Sequence, residues 1–158
     1  SGSAYWLWLD GAEPSAARRP LAHQDIVRAF GHSCAIANTT LMVRREVFME
    51  LGGYPEAYDH GEDYRFLADA LARHEGANLP DLLVVKHEKR SGLTLRLSPL
   101  THFRSGLGHR RYVARRLGLG LGALAVGVAA SLGILVVRAT GLDRERVKSV
   151  LFWRDRAP

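Results

Sequence analysis

Residues 117–137 read LGLGLGALAVGVAASLGILVV and hold no charge. A stretch this apolar is stable only if other elements bury it on all sides or if it meets lipid. As one helix it is long enough to cross a bilayer core of about 30 Å. Gly118 and Gly122 form a G-x-x-x-G pair that permits close helix contact. The rest of the chain offers too few elements to cover such a helix all round, so membrane association is expected. Both flanks are basic. Arg104, Arg110, Arg111, Arg115 and Arg116 precede the run, and Arg138, Arg144, Arg146, Lys148, Arg154 and Arg156 follow it. The positive-inside rule therefore selects no orientation. The run is expected either to span or to lie re-entrant. In the second case DRERVKSVLFWRDR (143–156) forms a short surface helix with Trp153 among the headgroups.

The charge is distributed unevenly. The net charge is +6, and residues 1–100 are nearly balanced. A basic cluster favours phosphates, of nucleic acid or of anionic lipid. Here the arginines abut an uncharged run instead of alternating with stacking aromatics, so anionic lipid is expected and nucleic acid is not. Lone Cys34 rules out an internal disulfide and a cysteine-rich zinc site. The chain opens SGS without an initiator Met, which reads as the cut end of a longer protein, with no structural weight in Gly2 or Ser3.

Local patterning gives mixed α and β structure. Residues 5–11 (YWLWLDG) read as a strand and 12–20 as a loop. Ile26, Val27 and Phe30 sit at helical spacing in 21–30, before Gly31. Residues 34–43 are β-branched and apolar around Asn38, Thr39 and Thr40, and read as extended. Residues 44–53 read as a helix stopped by glycine, with Val47 and Leu51 on one face. Tyr64, Leu67, Ala68 and Leu71 form the core-facing stripe of a helix from Asp63 to His74, with Gly76 as its stop. Residues 81–87 read as a buried strand. Residues 97–116 read as basic, with Leu100, Phe103 and Leu107 able to share a face.

Glu62 and Asp63 stand side by side where the third helix begins. Free N–H groups and the helix dipole stabilise carboxylates there, so the pair serves as a helix-start stabiliser on local grounds alone. An ionised carboxylate on a rigid helix start can also take a proton from a hydroxyl.

Three segments in order carry a wider resemblance: TTLMVRREVFMELGGY, GEDYRFLADAL and LPDLLVVKHEKRSG. Together they resemble the C-terminal half of the catalytic domain of family-2 glycosyltransferases, over about a third of the chain. The resemblance implies an α/β, GT-A-type (Rossmann-like) domain over 1–97, followed by a basic and apolar helical region over 98–158. It implies Asp63 as the catalytic base and Glu62 as its helper. It places Gly52, Gly53 and Tyr54 beside the acceptor, and His87 near the donor diphosphate or its metal. The implied reaction is inverting transfer of a sugar from a nucleotide-sugar to a hydroxyl, on a lipid-linked or cell-surface glycan. The catalytic part is then cytoplasmic at a membrane. The family's Asp-x-Asp motif, which holds Mg²⁺ or Mn²⁺, has no counterpart here, and neither does its nucleotide-binding half. The chain is thus expected to be the acceptor side of an enzyme, silent alone, with the main metal ligands elsewhere. The alternative is a non-catalytic membrane-associated adaptor.

Overall fold

The computed structural model describes residues 1–9, 13–58, 60–88 and 98–140. Within them the chain is a mixed α/β unit. Strand β1 (Gly2–Leu9) lies between β2 (Ser15–Ala17), antiparallel to it, and β3 (Asn78–Glu88), parallel to it. Between β1 and β3 the chain makes helices α1 (His23–Phe30), α2 (Arg45–Glu50) and α3 (Glu62–Leu71). Helices α4 (Pro99–Arg116) and α5 (Leu121–Thr140) follow.

The core lies among helices α1, α3 and α4 and the 34–36 segment. Ile26, Phe30, Ile36, Phe66 and Val113 are its fully buried large side chains, joined by Leu67, Ala68 and Leu71. The expected α3 stripe is therefore present. Its first member, Tyr64, is half-buried and stacks on Phe30, with its hydroxyl donating to the Phe30 carbonyl. Asn78 is buried and donates from its amide nitrogen to the carbonyls of Pro20 (2.7 Å) and Ala35 (2.9 Å). One side chain thus ties two loops to the start of β3.

Several expectations need correction. Gly2 and Ser3 are buried members of β1, and the amino group of Ser1 donates to the Met42 carbonyl at 2.6 Å. Residues 34–43 are not extended throughout. They turn through a 3-10 segment (Asn38–Thr40), where the Thr40 hydroxyl bonds the Ala37 carbonyl and accepts from the Ser3 amide. A side chain that bonds nearby backbone in this way competes with a β-ladder. In α4, Leu100 is exposed while Phe103 and Leu107 are half-buried, so the three do not share one buried face. Residues 141–158, with the expected surface helix, lie outside the described residues.

The apolar run is not one continuous helix. Helix α4 ends in a Schellman motif: Gly118 takes φ +63°, Leu119 N–H donates to the Ala114 carbonyl, and Gly118 N–H to that of Arg115. Helix α5 starts only at Leu121 and folds back on α4 as a hairpin. Its uncharged part, 121–137, is about 25 Å long at 1.5 Å per residue, short of the roughly 30 Å a span requires. Among the described residues, no helix is long and apolar enough to cross a membrane. The expected spanning segment is therefore withdrawn. The expected glycine contact also moves: a Cβ on Gly118 or Gly122 would meet nothing within 4 Å, whereas one on Gly127 would lie 2.5 Å from the Gly31 carbonyl oxygen.

Candidate functional site

Helix α3 passes directly into β3 through residues 72–77, so its first turn sits toward the far end of that strand. Ligand clefts of open parallel sheets form at the carboxyl ends of the strands. Glu62 and Asp63 occupy this position, and Lys86, near the end of β3, is close enough to pull the Asp63 pKa down.

The helix start depends on Gly61. Its φ of +76° is left-handed, a region that side chains with a Cβ rarely adopt, and no side chain caps the helix. The Asp63 carboxylate accepts from the Tyr64 N–H at 2.7 Å. Such a bond lowers a carboxyl pKa, and so does Lys86. Burial nevertheless dominates and, with the Glu62 charge, holds the half-buried Asp63 above the usual carboxylate range.

Gly52 and Gly53, at φ +75° and +76°, close α2 in a second Schellman turn, with Gly53 N–H donating to the Phe48 carbonyl. The turn delivers Tyr54 edge-on to Phe48 and Phe66, with its hydroxyl donating to Asn38 Oδ1 at 2.9 Å. Burial first, then the Asp63 and Glu62 charges, push the Tyr54 phenol up. The structure thus brings Tyr54, Glu62 and Asp63 together.

His87 lies on the other side of the sheet. It is exposed on β3, with its ring 5.2 Å from that of Trp8. Side chains alternate along a strand, so Lys86 faces the acid pair and His87 faces away. Lys86 also bridges to Glu88 at 2.9 Å. Strand alternation separates Lys86 from His87, but residues 82–85 are apolar on both faces, so the sequence alone does not say which of the two meets the acid pair.

His109 had no local signal. It comes from α4, and its ring covers Gly61; a Cβ there would sit 2.7 Å from Nε2. Arg65 Nε donates to Nδ1 at 2.9 Å, which leaves the proton on Nε2, 3.1 Å from the Ser105 hydroxyl. Burial and then Arg65 hold His109 below its ordinary pKa. The Arg65 guanidinium lies over the rings of Tyr58 (3.9 Å) and Tyr112 (4.4 Å). Asp69 accepts from the Tyr112 hydroxyl and bridges to Arg116 at 2.5 Å, fastening α3 to α4.

Cys34 lies on the same inner side, near Asp63, Arg19 and Lys86. Burial pushes its thiol up to about 12, so it is no nucleophile at neutral pH. Among the described residues, no three His, Cys, Asp or Glu side chains gather to hold a metal. What the arrangement offers is a carboxylate of raised basicity, a neighbouring acid, a phenol and a lysine.

Compared with protein-family models, with curated proteins and with solved structures, the chain matches none.

Proposed function

We propose that this chain is the acceptor side of an inverting, GT-A-type glycosyltransferase whose donor half lies elsewhere in its parent protein. The observation that carries the reading is the acid pair on a glycine-started helix at the carboxyl end of the parallel β1–β3 pair, beside Tyr54. In this reading the acceptor hydroxyl hydrogen-bonds to the Asp63 carboxylate. As its oxygen bonds to the anomeric carbon, the bond from that carbon to the diphosphate breaks and the proton passes to Asp63. Raised basicity suits this step, because a general base works best with a pKa near the operating pH. Glu62 keeps Asp63 basic through its charge. Tyr54 lines the acceptor side, on a turn where Gly52 has nothing within 4 Å of its missing Cβ. The donor sugar, its nucleotide and any metal they require belong to the missing half.

The test is sugar transfer by the parent protein carrying Asp63→Asn. Transfer should fall by a factor of at least about a hundred, the usual contribution of a general base, with donor binding intact. Full activity in that variant would refute the base. A wild-type parent that binds no nucleotide-sugar and transfers none would leave the adaptor reading in its place.

A further inference from the structure

The α4–α5 hairpin combines two features that the acid-pair site does not use. The first is an apolar face that the described residues leave uncovered. Helix α5 packs Gly127, Ala130 and Ser131 inward, and Arg110 Nε donates to Ser131 Oγ at 2.8 Å. On the opposite side Leu121, Ala125, Ala129 and Leu132 are exposed, at the i, i+4, i+8 and i+11 positions of one stripe, and Val126 is exposed at its margin. Leu121 is 85% exposed. The second feature is charge. From 99 to 140 the chain has arginines at 104, 110, 111, 115, 116 and 138 and not one acid. Arg104, Arg111 and Arg115 are exposed along one stripe of α4 and form no ion pair among the described residues.

We propose that the hairpin docks flat on an anionic lipid bilayer, with the α5 stripe in the acyl boundary and the α4 arginines among the headgroups. The occupant follows from complementarity. A helix hairpin with an exposed apolar stripe on one arm and, on the other, exposed cations without an ion-pair partner among the described residues matches a surface that is apolar inside and negative outside. Spanning is excluded by the break at Gly118 and by the attachment of the other face of α5 to the protein: a Cβ on Gly127 would strike the Gly31 carbonyl, and Arg110 bonds the His32 carbonyl. Docking would hold the α3 start close to the membrane, because His109 of α4 covers Gly61 and accepts from Arg65 in the first turns of α3. The proposal does not depend on the transferase reading.

The experiment is co-sedimentation of the full chain with vesicles of phosphatidylcholine alone or of equal parts phosphatidylcholine and phosphatidylglycerol. Binding is expected to the anionic vesicles only, and to weaken with salt. Changing Arg104, Arg111 and Arg115 together to Gln should weaken it about a hundredfold, at roughly fivefold per charge near such a surface. Leu121→Gln with Val126→Gln and Leu132→Gln should abolish it while circular dichroism stays unchanged. If that triple variant does not fold, Leu121→Gln alone should still weaken binding. The proposal is overturned if the wild-type chain stays in the supernatant, if it binds neutral vesicles equally, or if the α5 variants bind undiminished. Resistance to carbonate extraction would overturn it in favour of a span. A dimer in plain buffer that the α5 variants dissociate, with no vesicle binding, would overturn it in favour of self-association.

Discussion

Replacing Gly61 with alanine tests how the acid pair is held. Two costs can be read separately. The φ of +76° puts a new Cβ in the left-handed region, at about 1–2 kcal/mol. That Cβ would also lie 2.7 Å from His109 Nε2 and 2.9 Å from Cδ2, so the ring must shift. Overpacking of this kind costs about 1–3 kcal/mol. Gly61→Ala should therefore destabilise the chain by roughly 3 kcal/mol, a large share of a typical folding free energy of about 5–15 kcal/mol. In a His109→Ala background the second cost vanishes and only the first, about 1–2 kcal/mol, remains. Urea unfolding of the four proteins at a common slope closes the cycle. The expected coupling is about 1–3 kcal/mol. Additivity within about 0.5 kcal/mol would refute direct packing of α4 on the α3 start.

Asp63→Asn should stabilise the chain at neutral pH. Asp63 titrates above its ordinary 3.8, so the fold favours the protonated form. That contribution is full below 3.8 and is lost as pH rises through the raised value, which leaves the ionised group a liability near neutrality. Urea midpoints of variant and wild type should differ at neutral pH and converge below 3.8; a less stable variant at neutral pH would contradict the burial argument. Half-buried Cys34, with its thiol pushed up to about 12, should react with a thiol-disulfide reagent far more slowly in the native than in the unfolded chain, and equal rates would count against the raised pKa. Gly127→Ala should cost about 1–3 kcal/mol by pressing on the Gly31 carbonyl. Gly122→Ala meets nothing and should gain up to about 1 kcal/mol of helix propensity. Equal effects of the two on thermal unfolding would mean that α5 does not pack as described.

Periodic features of the sequence were legible because their causes are local. The α3 stripe, the glycine stop after α2 and a strand over 81–87 each follow from side chains within a few residues of one another, although that strand is not buried as expected: Leu83 and Val85 are exposed. What was not legible depends on distant partners. Gly2 and Ser3 join the sheet because Asn78 and Leu79 stand opposite them. Thr40 leaves the extended state because Ser3 offers it an amide. The break at Gly118 has a local signal, a glycine after a basic helix end, but the uncharged run obscured it. In the site, Tyr54 and the acid pair come together, which no local pattern carried and only the resemblance implied. Strand alternation alone did not single out Lys86, and His109 comes from 46 residues beyond Asp63, with only the folded chain to relate them.

The acid pair is the point where local and distant causes conflict. An acid kept only to stabilise a helix start gains from the dipole and from free N–H groups, and both lower its pKa. Asp63 receives the N–H bond, yet its pKa is raised, because burial and Glu62 outweigh that bond and the pull of Lys86. Glycine is the residue before α3 and supplies no side-chain cap, so the Asp63 carboxylate is the side chain that satisfies a first-turn N–H. The left-handed Gly61 under the His109 ring fixes the direction of the first turn, a conformation glycine adopts without steric cost. The two like charges stand side by side, both half-buried, and capping alone does not call for the second. The proposed proton acceptance would use a carboxylate made more basic and only half-hidden. If Glu62→Gln leaves the Asp63 titration unmoved in a carboxyl NMR experiment, the pair is not coupled and this reasoning fails.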